Sequence, residues 1–487
     1  MISVKNFLKN DFLYGIYPWG ICCLYGFIVG FLIMEDRGIA IVAAILPLFV
    51  WFALVDVRNF LYLLLFFTII HESPFIYENI FGIPVYENLL GIPGAKPYSL
   101  LALMTLVVCY YHGGQVFFQF DKIRRKVFIY LGIYFALFSL ALVHSLAYFE
   151  LIQIVKQDWF LSPSSYLLSW YIKPSLYIVS FVYILNHITS EEDIEKIFNF
   201  LCMLLGLISL TVVLVVISHW TTFMMTRSVD YWSYYLGYHY NEIGTFYIIL
   251  GPLVVVPALK KRFWGVLSWC LTLLAVVLLQ SRTALLVFLL GNLLLLFFLG
   301  KKKELVFLSS IVFLISLYFL PGFIMDTLLT GLESGDLDKI STGRVYSIWL
   351  PLLDEWFNNI KLFLFGKGYF AMLSSSGYQR GIIYQTFHPH NAFIQMFIDN
   401  GIILFLAFIL LLIKFLKKAW HNVRKVNSDI GWALFVSIIS YLISCVSGRS
   451  FYPTRENVFL FTIIALLANY LRLYTKNSSD NTGIAAK

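Results

Sequence analysis

Charge is scarce in this chain of 487 residues. Asp, Glu, Lys and Arg together supply 13% of it, against 60% hydrophobic and 18% aromatic residues. A soluble domain has no use for so much apolar surface, so the composition points to a polytopic membrane protein. Cysteine is also sparse. Cys22, Cys23, Cys109, Cys202, Cys270 and Cys445 all fall inside apolar runs, with neither zinc-ligand spacing nor a disulfide framework. A small-residue cleavage site is missing after the polar start Met1–Asp11, so no cleavable signal peptide is expected. The formal charge of +8 does not argue for nucleic acid. The basic residues lie mostly in short turns between apolar runs, which is a mark of membrane topology.

Apolar runs long enough, or nearly so, to cross a bilayer number about 14. They are Tyr14–Met34, Ile39–Val55, Phe60–Ile70, Tyr98–Tyr111, Val127–Ala147, Tyr166–Asn186, Ile197–Ser218, Tyr240–Leu259, Phe263–Gln280, Thr283–Leu299, Leu305–Leu320, His390–Ile413, Ile430–Val446 and Asn457–Tyr474. The expected fold class is an all-α polytopic membrane protein with 12–14 spans. The even count puts both termini on one side. The Lys/Arg bias, roughly 22 basic residues on that face against roughly 13 opposite, makes that side cytoplasmic. Five segments are expected. They are an N-terminal bundle (1–239), helices carrying a Ser-Arg turn (240–321), a long external loop (322–387), C-terminal helices (388–474) and a disordered polar tail (475–487). Within the loop, Trp349, Leu352, Leu353, Trp356 and Phe357 are spaced for one apolar face of a surface helix over Tyr346–Ile360. The stretch His71–Pro97, with several Pro and Gly residues, reads as a plug or rim.

The external face collects the residues that can carry chemistry. In His388-Pro389-His390-Asn391, proline suits the start of a helix because it has no N–H to leave unpaired there. That places the His390 imidazole at a helix N-terminus near the membrane boundary, where it can exchange a proton near neutral pH. Two interfacial histidines with satisfied hydrogen bonds would read the same way. A metal site has no Cys/His/Glu cluster nearby in sequence to support it. Asn391, Gln395 and Asp399 recur every fourth residue and form a polar stripe that has to face protein or water. Asp399 lies about 13 Å along the axis from His390, too far to orient the imidazole, and its expected task is a hydrogen bond to a neighbouring helix. Ser281-Arg282, Ser341-Thr342-Gly343-Arg344 and Ser447-Gly448-Arg449 repeat a small-residue-then-Arg pattern, and Arg455 follows. A lone arginine of this kind can simply snorkel to the interface. Four converging arginines with few nearby acids would make an electropositive pocket for phosphate or pyrophosphate. Gly366-Lys367-Gly368 is a turn, or a place where backbone approaches a ligand.

Taken in order, Ser281-Arg282, Gly343-Arg344 with Trp349, Gly366-Lys367-Gly368, His388-Pro389-His390-Asn391 and Asn400-Gly401 resemble the O-antigen ligase / O-antigen polymerase superfamily of bacterial envelope glycan enzymes. The resemblance covers roughly 240–473; Asp399 departs from it, because members often carry Glu at the corresponding place. It implies a GT-C-like fold and a metal-independent, inverting glycosyltransferase that needs no cofactor and works at the periplasmic face of the inner membrane. The donor would be a glycan on undecaprenyl pyrophosphate. The acceptor would be lipid A–core for a ligase, or another lipid-linked repeat for a polymerase, including one that builds exopolysaccharide. Membrane lipids and other envelope glycan assembly proteins would be its partners, and nucleic acid would not. Carried over by residue, His390 with His388 would be the base, while Arg282, Arg344, Arg449 and Arg455 would hold the pyrophosphate. Asn391, Gln395 and Asp399 would support them. A lipid-linked oligosaccharide flippase or other transporter is the reading from a different class. It calls for midplane charges and internal repeats, whereas these charges cluster on one face.

Overall fold

The computed structural model describes residues 58–70, 73–75, 78, 97–113, 122–155, 162–219, 229–304, 306–308, 310, 343–383 and 388–484. Its elements are helices, and no strand occurs among the described residues. They are α1 (Arg58–Ile69), α2 (Pro97–Gly113), α3 (Lys122–Ser145, extended by turns to Val155), and α4, a helix broken by a wide turn over Pro163–His187. They continue with α5 (Glu191–Ser218), α6 (Tyr240–Leu259), α7 (Phe263–Leu278), α8 (Arg282–Phe298), α9 (Leu350–Phe357) and α10 (Ile360–Phe365), and end with α11 (Ala392–Val426), α12 (Asp429–Ser444) and α13 (Val458–Ile484). Seven described helices are long and apolar enough to cross a membrane, and α1, α2, α7 and α8 are shorter apolar helices. The described residues are all but entirely helical, and their spans make the chain a polytopic membrane protein. Tyr14–Met34, Ile39–Val55, most of Leu305–Leu320 and nearly all of His71–Pro97 lie outside the described residues.

Helix α6 is the most enclosed span and packs on α5, α7, α8 and α12. Lipid offers no hydrophobic contrast between helices, so close approach at small residues and interhelical hydrogen bonds hold such a bundle. Gly244 meets Ala284, Gly251 meets the Phe288 ring, and Gly291 meets Ser440. Thr272 Oγ1 lies 3.2 Å from Ser209 Oγ, and Asn469 Nδ2 donates to the carbonyls of Ile184 (2.7 Å) and Ile188 (3.0 Å). Side chains such as Ile217, Leu286, Leu410 and Phe263 point outward and exposed, as lipid-facing residues do.

Helix α11 carries the main departure from regularity. Gly401 (φ 69°, ψ 174°) breaks it into two helices, and the carbonyls released at the kink are taken by the segment that precedes α11. Lys367 N–H donates to Ile398 O (3.1 Å) and Gly368 N–H to Asp399 O (2.8 Å). Trp356 Nε1 also donates to Ile398 O (3.0 Å). A methyl group on Gly366 would stand 2.4 Å from Asp399 O, so the Gly-Lys-Gly turn lies backbone to backbone against the kink.

Several sequence expectations change. The expected single helix Tyr346–Ile360 is a wide turn, Val345–Trp349, followed by α9 and α10. Leu352 and Trp356 are buried as expected, but Phe357 is exposed because the chain turns at Asn358 and Asn359. Lys414, Lys417, Lys418, Arg424 and Lys425 lie on the continuing α11 and not in a turn. Helix α13 runs on to Ile484 through the stretch expected to be disordered, since extending an existing helix needs no new nucleus.

Candidate functional site

Four helices begin at one end of the bundle: α6, α8, α11 and, after a short turn, α13. Each N-terminus carries the partial positive charge of its helix dipole, so this end favours anions. The turns with Lys260, Lys261, Arg262 and Lys301–Lys303, and the basic end of α11, lie at the far end of the same helices, about 25–50 Å away at 1.5 Å per residue.

The loop between α12 and α13 ties the site together. Ser447 O accepts from Arg344 Nη1 (3.4 Å). Gly448 (φ 123°) packs on His390: a Cβ there would stand 3.5 Å from the imidazole Nδ1. Arg449 reaches across to α6, with Nη2 3.4 Å from where a Gly244 Cβ would be, and the Ser281 hydroxyl is equally near that point. Three consecutive residues thus join the Arg344 segment, the histidine segment and the start of α8, whose first residue is Arg282. Ser281 Oγ donates to Asn241 Oδ1 (2.9 Å), fixing that start against α6.

His390 sits in the left-handed region at φ 53°, a conformation with a cost of about 1–3 kcal/mol that the surroundings must enforce. Trp349 Nε1 donates to Pro389 O (2.6 Å), and His390 N–H donates to His388 Nδ1 (3.3 Å). The two imidazoles stand edge to face with centroids 4.3 Å apart. Asn391 Oδ1 accepts from the N–H groups of Phe393 (3.0 Å) and Ile394 (3.1 Å), which makes it the N-cap of α11. The expected polar stripe therefore starts at Gln395, and Asn391 precedes the helix. Gln395 and Asp399 are buried. Asp399 Oδ1 accepts from Ala371 N–H (3.2 Å), so its partner is the turn after Gly368 where a neighbouring helix was expected.

The electrostatics are cationic, with Glu242 and Glu456 as internal counterweights. Burial lowers His390 to about 3, and His388, Arg344 and His239 add to the effect. His388 keeps accessible surface yet is recessed among protein atoms. Burial and then Arg344 lower it, while Glu242 pulls the other way. Both rings are therefore neutral near pH 7. Burial also lowers Arg344 and Arg449 from the usual guanidinium value, and both stay protonated. Arg449 Nε is buried with no hydrogen-bond partner, and no carboxylate pairs with Arg449 among the described residues. The expectation of few acids near the arginines fails at Arg455. Its Nη2 pairs with Glu242 Oε2 at 2.8 Å, and its guanidinium lies 4.4 Å over the Tyr238 ring.

Tyr238, His239, Asn241 and Glu242, at the start of α6, are site residues that the sequence reading passed over. They could have been found as a His-x-Asn cluster opening a span, the same signal as His388–Asn391. His239 and Glu242 form a reciprocal N-terminal cap, with His239 N–H donating to Glu242 Oε2 (2.8 Å) and Asn241 N–H to His239 Nδ1 (3.2 Å). Among the described residues, no three His, Cys, Asp or Glu side chains are grouped to hold a metal ion.

An apolar groove runs between α3, α11, α12 and α13, lined by Tyr134, Phe408, Leu412 and Phe461. Its polar end is Tyr441, Ser450 and Asn457, at the base of the Gly448–Arg449 loop. The Tyr441 hydroxyl donates to Asn457 Oδ1 (2.7 Å) and holds that loop to α12.

No curated protein matches the chain. Residues 267–409, which hold Arg282, Arg344, His388, His390 and the kink of α11, match the family model of the O-antigen ligases. Over that segment the chain is similar to the O-antigen ligases.

Proposed function

We propose that the chain is an O-antigen ligase-like glycosyltransferase. It moves a glycan from undecaprenyl pyrophosphate to a sugar hydroxyl of lipid A–core, at the periplasmic end of the inner-membrane bundle. The observation that carries this reading is the Ser447-Gly448-Arg449 loop, which brings a neutral imidazole and two guanidinium groups to one site. Phosphate oxygens suit guanidinium forks and helix N-termini. Arg449, with its unsatisfied Nε, and Arg344 hold the pyrophosphate, with Arg282 beside them at the start of α8. The isoprenoid tail lies in the apolar groove.

In the chemistry that follows, the acceptor hydroxyl oxygen attacks the anomeric carbon and the bond to pyrophosphate breaks on the opposite face. The configuration inverts, and the hydroxyl proton goes to His390. Charge on the leaving group is spread over the guanidinium groups, which act on the developing anion. In the empty site His390 is neutral but a weak base, because burial first, and then His388, Arg344 and His239, oppose a positive charge there. A pyrophosphate bound at Arg344 and Arg449 cancels that field, so His390 becomes a better proton acceptor once the donor is seated. His388 orients the turn through its Nδ1 and is too close to His390 for both to be charged. Neither step calls on a metal ion.

Deleting the gene and resolving the surface glycan by electrophoresis tests the reading. A ligase predicts bare core with lipid-linked polymer accumulating. A single repeat on the core would reassign the enzyme as a polymerase, and an unchanged glycan would remove both.

A further inference from the structure

Glu242 is an acid set in a cationic pocket, and the transfer chemistry gives it no task. A single oxygen, Oε2, accepts from Arg455 Nη2 (2.8 Å) and from His239 N–H (2.8 Å). Its side chain keeps 29% of its surface and that of Arg455 keeps 21%, so the pair borders the open site and is not sealed in the core. Charged and titratable groups surround it from every side. His239 and Tyr238 lie just before α6, His388 lies ahead of α11, and Arg449, Arg455 and Glu456 come from the α12–α13 loop and the start of α13.

A carboxylate here does two things to an incoming phosphate. It occupies Arg455, and it repels the anion. Both weaken binding of the donor and of the pyrophosphate-bearing product alike, which favours turnover over capture. We propose that Glu242 is the resident counter-anion of the site: it holds Arg455 while the site is empty and surrenders it to a pyrophosphate group. The leaving group is then bound loosely enough to depart. Glu242 is thus a positioning residue acting through Arg455, and the proposal rests on the pyrophosphate reading above.

The test uses the full chain in lipid nanodiscs, with inorganic pyrophosphate as probe in calorimetry and a lipid-linked glycan as donor in turnover. Glu242→Gln keeps the helix cap, because the amide oxygen still accepts from His239 N–H. It removes one negative charge from a partly exposed pair, so the pyrophosphate Kd should fall about three- to tenfold. Donor KM should fall together with kcat as product leaves more slowly. A structural clip would instead give a lower Tm with an equal or weaker pyrophosphate Kd, and that result overturns the proposal. Should the single variant fail to fold, the pair Glu242→Gln/Arg455→Gln is compared with Arg455→Gln. The double variant should bind pyrophosphate more tightly, and equal or weaker binding overturns the proposal. Transfer intact in the wild type with no shift in pyrophosphate binding refutes the role of Glu242 alone. The binding shift without any transfer by the wild type refutes the transfer reading and leaves the counter-anion standing.

Discussion

Gly401→Ala should destabilise the protein by about 3–5 kcal/mol, far more than an alanine at most glycines. At φ 69° and ψ 174° the residue occupies a region that is essentially glycine's alone, and an L side chain there costs about 1–3 kcal/mol. A Cβ would also stand 2.3 Å from Leu364 O and 2.4 Å from Phe365 N, which are backbone atoms that cannot rotate away. Restoring normal contact means moving α10 off α11 by about 1 Å. Four hydrogen bonds cross that junction, from Trp356, Lys367, Gly368 and Ala371, each with a net worth of about 1 kcal/mol. Losing half of them brings the total to the stated range. Gly381→Ala is the control. Its φ is 71° and nothing lies within 4 Å of its Cβ position, so only about 1 kcal/mol of backbone strain applies. Thermal unfolding in detergent, with limited proteolysis of the 366–383 segment, compares the two. Equal shifts in Tm would refute the backbone interlock.

Further predictions follow from the same geometry. Asn391→Ala removes the cap of α11 and should cost about 1 kcal/mol by thermal unfolding, while Asn391→Asp, which still accepts both N–H groups, should cost much less. Burial would raise Glu355, but its hydrogen bonds from Lys367 and Ser376 and the Lys367 charge outweigh that and hold it low. Lys367→Met takes the cation from this largely buried carboxylate, leaving it only the Ser376 hydrogen bonds, and should cost about 3 kcal/mol, whereas replacing both Lys367 and Glu355 by apolar residues should recover much of the loss. His390 accepts a proton only when neutral. Its low folded value keeps it neutral across about pH 5 to 8, so kcat/KM should show no acid limb near 6.5 from this group and should fall only toward pH 3. Arg344→Gln removes a neighbouring positive charge and should move that limb upward in a pH–rate profile; a limb that stays put would separate the two groups.

The parts of this molecule that were legible in sequence are those where chemistry is local. Pro389 and Asn391 mark a helix start without reference to anything distant, and Ser281-Arg282 marks another. The apolar runs announce spans because lipid demands them residue by residue. What stayed hidden depends on partners far along the chain. Arg455 read as one more phosphate contact because Glu242, which neutralises it, is 213 positions away. The start of α6 read as the edge of a span because His239 and Glu242 acquire meaning only when His388 and Arg449 stand beside them. Asp399-Asn400-Gly401 lay inside an apolar run, and its kink depends on a turn at Gly366–Gly368 to take the released carbonyls.

Transfer by the reconstituted protein with His390 replaced tests the central claim most directly. His390→Ala, with the pyrophosphate Kd and Tm measured alongside, should lower transfer about 100- to 10,000-fold while donor binding persists, as loss of a proton acceptor does. Undiminished transfer by that variant would contradict the account.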